Sequence, residues 1–423
     1  LAILFIGYVV NFIDRSILSI LLEPIKQELL LSDTELGLLG GLAFAMFYAT
    51  LGIPIASLAD RWSRTKVLAI SMIIWSAMTA LCGAANNFLM LLLARIGVGV
   101  GEAGASPPSH SLISDYFPVE KRATALSIYA LGIPFGSMIG NFVGGWGAAE
   151  LGWRMTFLLV GLPGIFVAGI ILTTLREPPR GMSESAAVKA AAAKNDEPAP
   201  ALKEVFKFLW QRKSFRHLGF AAGLHAFVGY GAGVWNAPFL IRSHEMPITE
   251  VGSWLAIISG IGAIGTFGGG YLGDKLSDWT DDRRWYLWIA GISTLVMVPF
   301  QFTAYLYDGI WTVIPALAVV SILGGMYLGP SFAMTQALVT LRMRAVASAL
   351  LLFMLNIIGM GLGPYFVGIA SDLLNPSFEI HSLRYALCLC VLANLWAAVH
   401  YFLGATTLRE DLDSTEVLMT QHS

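Results

Sequence analysis

The chain has 423 residues, of which 56% are apolar and 13% charged, with a mean hydropathy of +0.69. Soluble domains carry about 25% charged residues, so this chain holds roughly half the charge needed to wet its surface. That excludes a soluble enzyme, a disordered chain and a disulfide-framed secreted module, and a net charge of −2 gives no electrostatic case for nucleic acid.

Taken from its start, the chain opens on Leu1 rather than Met, so an N-terminal stretch is expected to be missing. The first segment is not read as a signal peptide, because it carries Asp14-Arg15 and lacks a small-residue cleavage site. A membrane-crossing helix needs about 20 apolar residues. Such runs are predicted at 1–22, 36–58, 67–85, 88–114, 123–148, 152–175, 216–241, 251–273, 285–307, 311–340, 345–374 and 383–404. Between the sixth and seventh lies a polar linker, 176–215, with a low-complexity piece from Ser183 to Pro200. At its end Leu202, Val205, Phe206, Leu209 and Trp210 recur at helical spacing among Lys203, Lys207, Arg212 and Lys213. This predicts an amphipathic helix in the headgroup layer, the alternative being a helix packed on the protein.

With the N-terminus in the cytoplasm, alternate loops place 20 of the 26 basic residues on the cytoplasmic side. Only Lys26, Arg154, Arg242 and Arg384 fall opposite, while Arg15 and Arg95 lie within spans. The positive-inside rule then puts both termini in the cytoplasm. The two halves also repeat. The run from Arg122 echoes the run from Arg344, and Pro108-Ser109 echoes Pro330-Ser331, both at an offset of 222. Ser57–Arg61 matches Tyr271–Lys275 at 214. The predicted fold is all-α and integral to the membrane, with twelve transmembrane helices in two parallel six-helix repeats. Its parts are 1–175, the linker 176–215, and 216–423 with the tail.

The loop Asp60-Arg61-Trp62-Ser63-Arg64-Thr65-Lys66 resembles the loop signature of the major facilitator superfamily, with Ala56 and Ser63 where glycine is usual. The resemblance implies a cytoplasmic latch of Asp60, Arg61, Arg64 and Arg122. Within that superfamily the chain is most similar to the Spinster group. The residues that carry this are Asn11-Phe12-Ile13-Asp14-Arg15, the run Arg95 to Ala103, and Pro118-Val119-Glu120-Lys121-Arg122. The resemblance implies proton-linked transport of lysolipids or sphingoid phosphates. The Arg-x-Gly-x-Gly-x-Gly-Glu run also resembles organic anion transporters.

Ionisable groups inside a bilayer are costly and usually functional. Arg95 and Glu102 lie seven residues apart, on one helix face and about 10 Å apart along the axis. Counted inward, Asp14 and Arg95 reach similar depth and are expected to pair. Glu102 is left without an obvious cation at its level, as the expected proton carrier. Asp14, Arg95 and Glu102 thus form the proposed coupling site, against the alternative of a fixed ion-pair network. Arg15 and Arg95 suit an anionic head group, and Tyr230 and Asn236 are expected cavity contacts beside the apolar Phe227, Trp235, Phe332 and Phe353. At the repeat offset Arg95 and Glu102 map to Leu317 and Gly324, so the first half is expected to couple and the second to shape the substrate site. His110 and His225 could titrate, but a lone helical histidine is more often simply hydrogen-bonded.

Cys82, Cys388 and Cys390 lie in apolar runs and are expected to be packing residues. No metal, cofactor or enzymatic constellation is expected. The expected function is a proton-coupled transporter exporting an amphiphilic lipid from a monomer in the plasma membrane, a bacterial inner membrane. The expected partners are that lipid, protons and the surrounding membrane lipids. The alternatives are an organic anion transporter and a scramblase without proton coupling.

Overall fold

The structure, a computed structural model, describes residues 1–183 and 202–421. Most of the low-complexity piece expected at Ser183–Pro200 therefore lies outside the described residues, as does the side chain of Asp60. Everything regular among the described residues is helical. The first six rods are α1 (Ala2–Leu29), α2 (Asp33–Ala59), α3 (Arg64–Cys82), α4 (Phe88–Tyr116), α5 (Thr124–Glu150) and α6 (Gly152–Thr174). After the linker come α7 (Leu202–Gln211), α8 (Lys213–His244), α9 (Ile248–Thr280), α10 (Trp285–Leu306), α11 (Ile310–Ala337), α12 (344–378) and α13 (Ser382–Gln421).

Ten stretches among the described residues are both long and apolar enough to cross a membrane. The run 344–417 counts once there, although a turn at Glu379–His381 divides it into α12 and α13. The 32-residue α8 is not among the ten, because Lys213, Arg216, His217, His225, Asn236, Arg242 and His244 dilute its apolar run. Resolving both gives twelve long helices and the short α7.

Two compact units form. The first holds the described residues of 1–197 with Asn236–Ile241 and Glu245–Gly260, and the second holds Pro198–Trp235, Arg242–His244 and Ile261–Ser423 as far as described. In the first, α1 packs along α5, and α3 along α4 and α6. In the second, α10 packs along α11 and α13, and α12 along α13. Glycines set the closest approaches. A Cβ on Gly136 of α5 would come within 2.5 Å of the Val9 carbonyl of α1, and one on Gly363 of α12 within 2.2 Å of the Phe227 carbonyl of α8. Corresponding helix pairs in the two units thus meet through backbone, as small residues allow inside a membrane.

The amphipathic α7 packs one face on the protein, the alternative given for it. Val205 and Leu209 are fully buried in a cluster with Phe215, Leu338, Leu351 and Leu408, each contributing about 1.5–3 kcal/mol for burial from water. Leu202, Phe206 and Trp210, one helical turn apart in succession, stay exposed.

Candidate functional site

Three side chains of α1, Asn11, Asp14 and Arg15, fall at positions i, i+3 and i+4 and share a face. On the fourth rod the helical segment Phe88–Glu102 stops just after Glu102, and a second segment starts at Ser106 with Pro107 and Pro108 in its first turn. Prolines lack the N–H needed to continue a helix but suit a first turn. The glycines ahead of the break set its depth. A Cβ on Gly99 would approach the Phe44 carbonyl of α2 to 2.8 Å, and one on Gly101 the Trp75 amide of α3 to 2.5 Å. Glu102 is thereby held against α1, α2 and α3.

Arg15 Nε donates to Glu102 Oε2 at 2.5 Å. The Glu102 side chain is fully buried and the Arg15 side chain 18% exposed. The expected pairing of Asp14 with Arg95 is not found. Both Asp14 oxygens, Arg95 Nε and Nη1, and Glu102 Oε1 lack hydrogen-bond partners. The correction has a geometric cause. Depth along a helix fixes height but not azimuth, and Arg15, one residue further round α1, is the guanidinium that faces α4. Asp14 still feels the charges of Glu102 and Arg95, with Thr79 and Trp75 of α3 beside it, and Asn11 lies beside Glu102. The Arg15 guanidinium sits 4.6 Å from the ring centre of Tyr48, 5.0 Å from Phe12 and 5.3 Å from Phe44, while that of Arg95 is 5.4 Å from Phe44. One aromatic ring therefore faces two guanidiniums.

Of the expected latch residues, Arg64 is the most constrained. Its guanidinium binds Asp115, Ser111 Oγ at 2.9 Å, Glu177 Oε1 at 2.8 Å and the Pro178 carbonyl at 2.8 Å. Arg122 Nη2 donates to the Ser114 carbonyl at 2.9 Å. Arg61 is exposed. The segment after α6 forms a strap over this end of the first unit. Arg180 donates to the Ala59 carbonyl, the Gly181 amide to Asp115 Oδ1, and Tyr116 to the Arg176 carbonyl. Partial burial pushes the Glu177 carboxyl up. The Thr65 amide, the Arg64 guanidinium and the Ser63 hydroxyl outweigh that and hold it at about 2. Across the second unit's α9–α10 turn, Arg284, with Arg409 behind it, holds Asp282 at about 2.

Tyr230 is 39% exposed on α8. Asn236, on the same helix, belongs to the stretch grouped with the first unit. Trp235 does not serve as an exposed aromatic wall, since it is fully buried with Nε1 on the Pro364 carbonyl at 2.8 Å. The second unit buries its own polar pair, Asn394 Nδ2 donating to Gln301 Oε1 at 2.9 Å. The three cysteines are free thiols, and no group of three metal-ligating side chains forms among the described residues. Sequence reasoning missed Phe44, Tyr48 and Thr79, as well as Asp115 and Glu177. The aromatics carry no signal beyond apolarity, whereas Asp115 could have been noticed as an acid at the inner end of a predicted span.

A family model described as Major Facilitator Superfamily matches residues 4–406. Over 404 residues the chain is 34% identical to an MFS-type efflux pump of Mycolicibacterium smegmatis, covering 95% of this chain and 91% of that protein. It is 26% identical over 437 residues to protein spinster homolog 3 of Danio rerio, covering 96% of this chain and 84% of the other. A bacterial homologue of the human lysosomal transporter Spinster, solved in an inward-facing and unoccupied conformation, matches with a TM-score of 0.87 at 32% identity, covering 97% of both chains.

Proposed function

We propose, from the premise that this chain belongs to the major facilitator superfamily and resembles its Spinster members, that it couples proton movement to transport of an amphiphilic lipid with an anionic head group. The observation that carries the reading is the Arg15–Glu102 pair inside a cluster with unbonded carboxylate oxygens. Stability alone gives little reason for such a cluster, because buried ions regain their desolvation cost only with excellent pairing. A proton on Glu102 removes the charge that occupies Arg15. The guanidinium, itself partly exposed, then becomes available to a phosphate, for which its fork geometry suits it. The rings of Phe12, Phe44 and Tyr48 offer an apolar border for the first part of a hydrocarbon tail.

This linkage has a sign. Proton and head group favour each other, so both move the same way, and the lysophospholipid or sphingoid phosphate is cotransported with the proton. Export against an inward proton gradient, as expected from the sequence and as the name of the M. smegmatis relative suggests, needs a head group that competes with the proton. Loop charge supports both termini in the cytoplasm of a bacterial inner membrane, and the strapped Arg64 end is then the cytoplasmic face.

Binding of a lysophospholipid to the purified chain, measured across pH, tests this directly. The account expects tighter binding as the pH falls, and weaker binding in Arg95→Ala. Tighter binding as the pH rises would favour exchange. Saturable binding of a short-chain carboxylate, undisturbed by competing lysolipid, would overturn the lipid reading in favour of an organic anion.

A further inference from the structure

The repeat maps the coupling cluster of the first half onto residues of the second. Glu102 corresponds to Gly324 at the offset of 222, and Asn11 corresponds to His225 at the offset of 214. The two counterparts meet in the second unit, with Thr294 of α10 beside them. His225 is 2% exposed, with Nδ1 2.8 Å from Thr294 Oγ1 and Nε2 3.0 Å from the Gly324 carbonyl. The first unit's charged cluster thus has an uncharged counterpart built round an imidazole.

Counting protons shows what this counterpart can do. A carbonyl only accepts, so Nε2 carries a hydrogen toward Gly324. Thr294 has one hydroxyl proton, and its oxygen also lies 2.6 Å from the Ala290 carbonyl. With the imidazole neutral, that proton turns to Nδ1. With a proton on Nδ1, the ring donates to Thr294 and the hydroxyl donates to Ala290. Both states leave every ring nitrogen bonded, and they differ by one proton and one hydroxyl rotation. We propose that His225 is a second proton-binding site, held in the second half by the Gly324 carbonyl and the Thr294 hydroxyl.

Burial costs a cation its hydration here, and a helix end and two hydrogen bonds oppose that cost. Gly324 lies in the last turn of the segment Ile310–Gly325, where carbonyls lack helical donors and the helix dipole is negative. The ring of Tyr327 lies against the imidazole, centroids 4.0 Å apart and planes tilted by 34°. Bonds from an ionised donor are roughly twice as strong as neutral ones. The titratable groups nearby are phenols: Tyr327 on α11, and behind it Tyr230 on α8 and Tyr401 on α13. α10 contributes Thr294 and, against Gly324, Met297, and α12 contributes the apolar Ile358 and Gly359 beside Gly223 and Ala226. Among the described residues no carboxylate or cation acts on His225. The inference rests on the reading of this chain as proton-coupled, but it assigns no role to the first half's residues.

Nitrogen NMR of the full chain with labelled histidines tests it. The sequence has seven histidines, and the signal lost in His225→Gln belongs to His225. A variant with the other six replaced by glutamine gives the same assignment should His225→Gln fail to fold. The expected result is a reversible second protonation of the ring between about pH 8 and pH 4, the span over which protein histidines titrate. In Thr294→Val, which removes the acceptor for Nδ1, the midpoint should fall by about one pH unit. A ring that stays neutral throughout, or a midpoint indifferent to Thr294→Val, overturns the proposal. Glu102→Gln separates it from the first-half reading. If His225 titrates while Glu102→Gln still responds to a pH gradient, the first-half reading fails and this one stands. If His225 stays neutral while Glu102→Gln loses its response, the reverse holds.

Discussion

The two units bury polar groups of different kinds. The first gathers Asp14, Arg95 and Glu102, all buried, with Arg15 at their edge. The second buries His225 on Thr294 and Gly324, and joins Gln301 to Asn394. The neutral amide pair makes one good bond and leaves Asn394 Oδ1 unbonded, at a lower cost than an unpaired ion. Ions bring a desolvation cost that pairing recovers only in part, and here several oxygens of the ionic set go unbonded. The contrast is between an ionic set with unbonded atoms in the first unit and a neutral set in the second that includes His225, the proposed second proton site.

Mutations can break that contrast. The largest effect is expected for Glu102→Ala, which leaves Arg15 without its carboxylate and should lower stability by about 3–5 kcal/mol. Thermal unfolding in detergent measures it. The pair replacement Arg15→Met with Glu102→Leu should be less damaging than the single change, whereas a larger loss would mean that the pair holds the fold. At the loop ends, Arg64→Ala should cost about 2–3 kcal/mol, since it strands Asp115 and several strap contacts. Arg284→Ala, on a more exposed pair, should cost less than about 1 kcal/mol. Equal losses would erase the distinction between the strap and the α9–α10 turn.

Gln301→Leu alone should cost about 1–2 kcal/mol by orphaning Asn394, and adding Asn394→Leu should return most of it. The smallest effect is the acid response of the strap. Glu177 sits at about 2 against an ordinary 4.5. Its stabilising contribution is therefore complete above about pH 4.5 and is lost as the pH falls through about 2. Glu177→Gln should flatten the acid arm of a Tm-against-pH curve. An unchanged arm would mean that the strap does not contribute to unfolding.

The spans were legible because a bilayer demands about 20 apolar residues in a row, and the buried ionisable residues because charges inside such runs are rare. α8 was legible as the apolar run 216–241, even though its polar residues keep the whole helix out of the ten apolar stretches. Partnerships were less legible. Asp14 and Arg95 share a depth, yet Arg15 makes the bond, because no spacing rule gives the rotation of one helix about another. Glu177 lies in a loop without period, and only the fold brings it to Arg64 across more than a hundred residues. His225 was in view as a lone histidine, but its meaning depends on Thr294 and the Gly324 carbonyl, and a backbone carbonyl has no signature in a sequence.

The central claim is that Glu102 carries the proton that drives transport. Its most direct test is lysophospholipid movement into proteoliposomes under an imposed pH gradient, comparing the wild-type chain with Glu102→Gln. The amide keeps the volume and can still accept from Arg15, but it cannot take up a proton. The account predicts that Glu102→Gln binds and moves lipid down its own gradient while losing all acceleration by the pH gradient. Acceleration equal to wild type in that variant would contradict it.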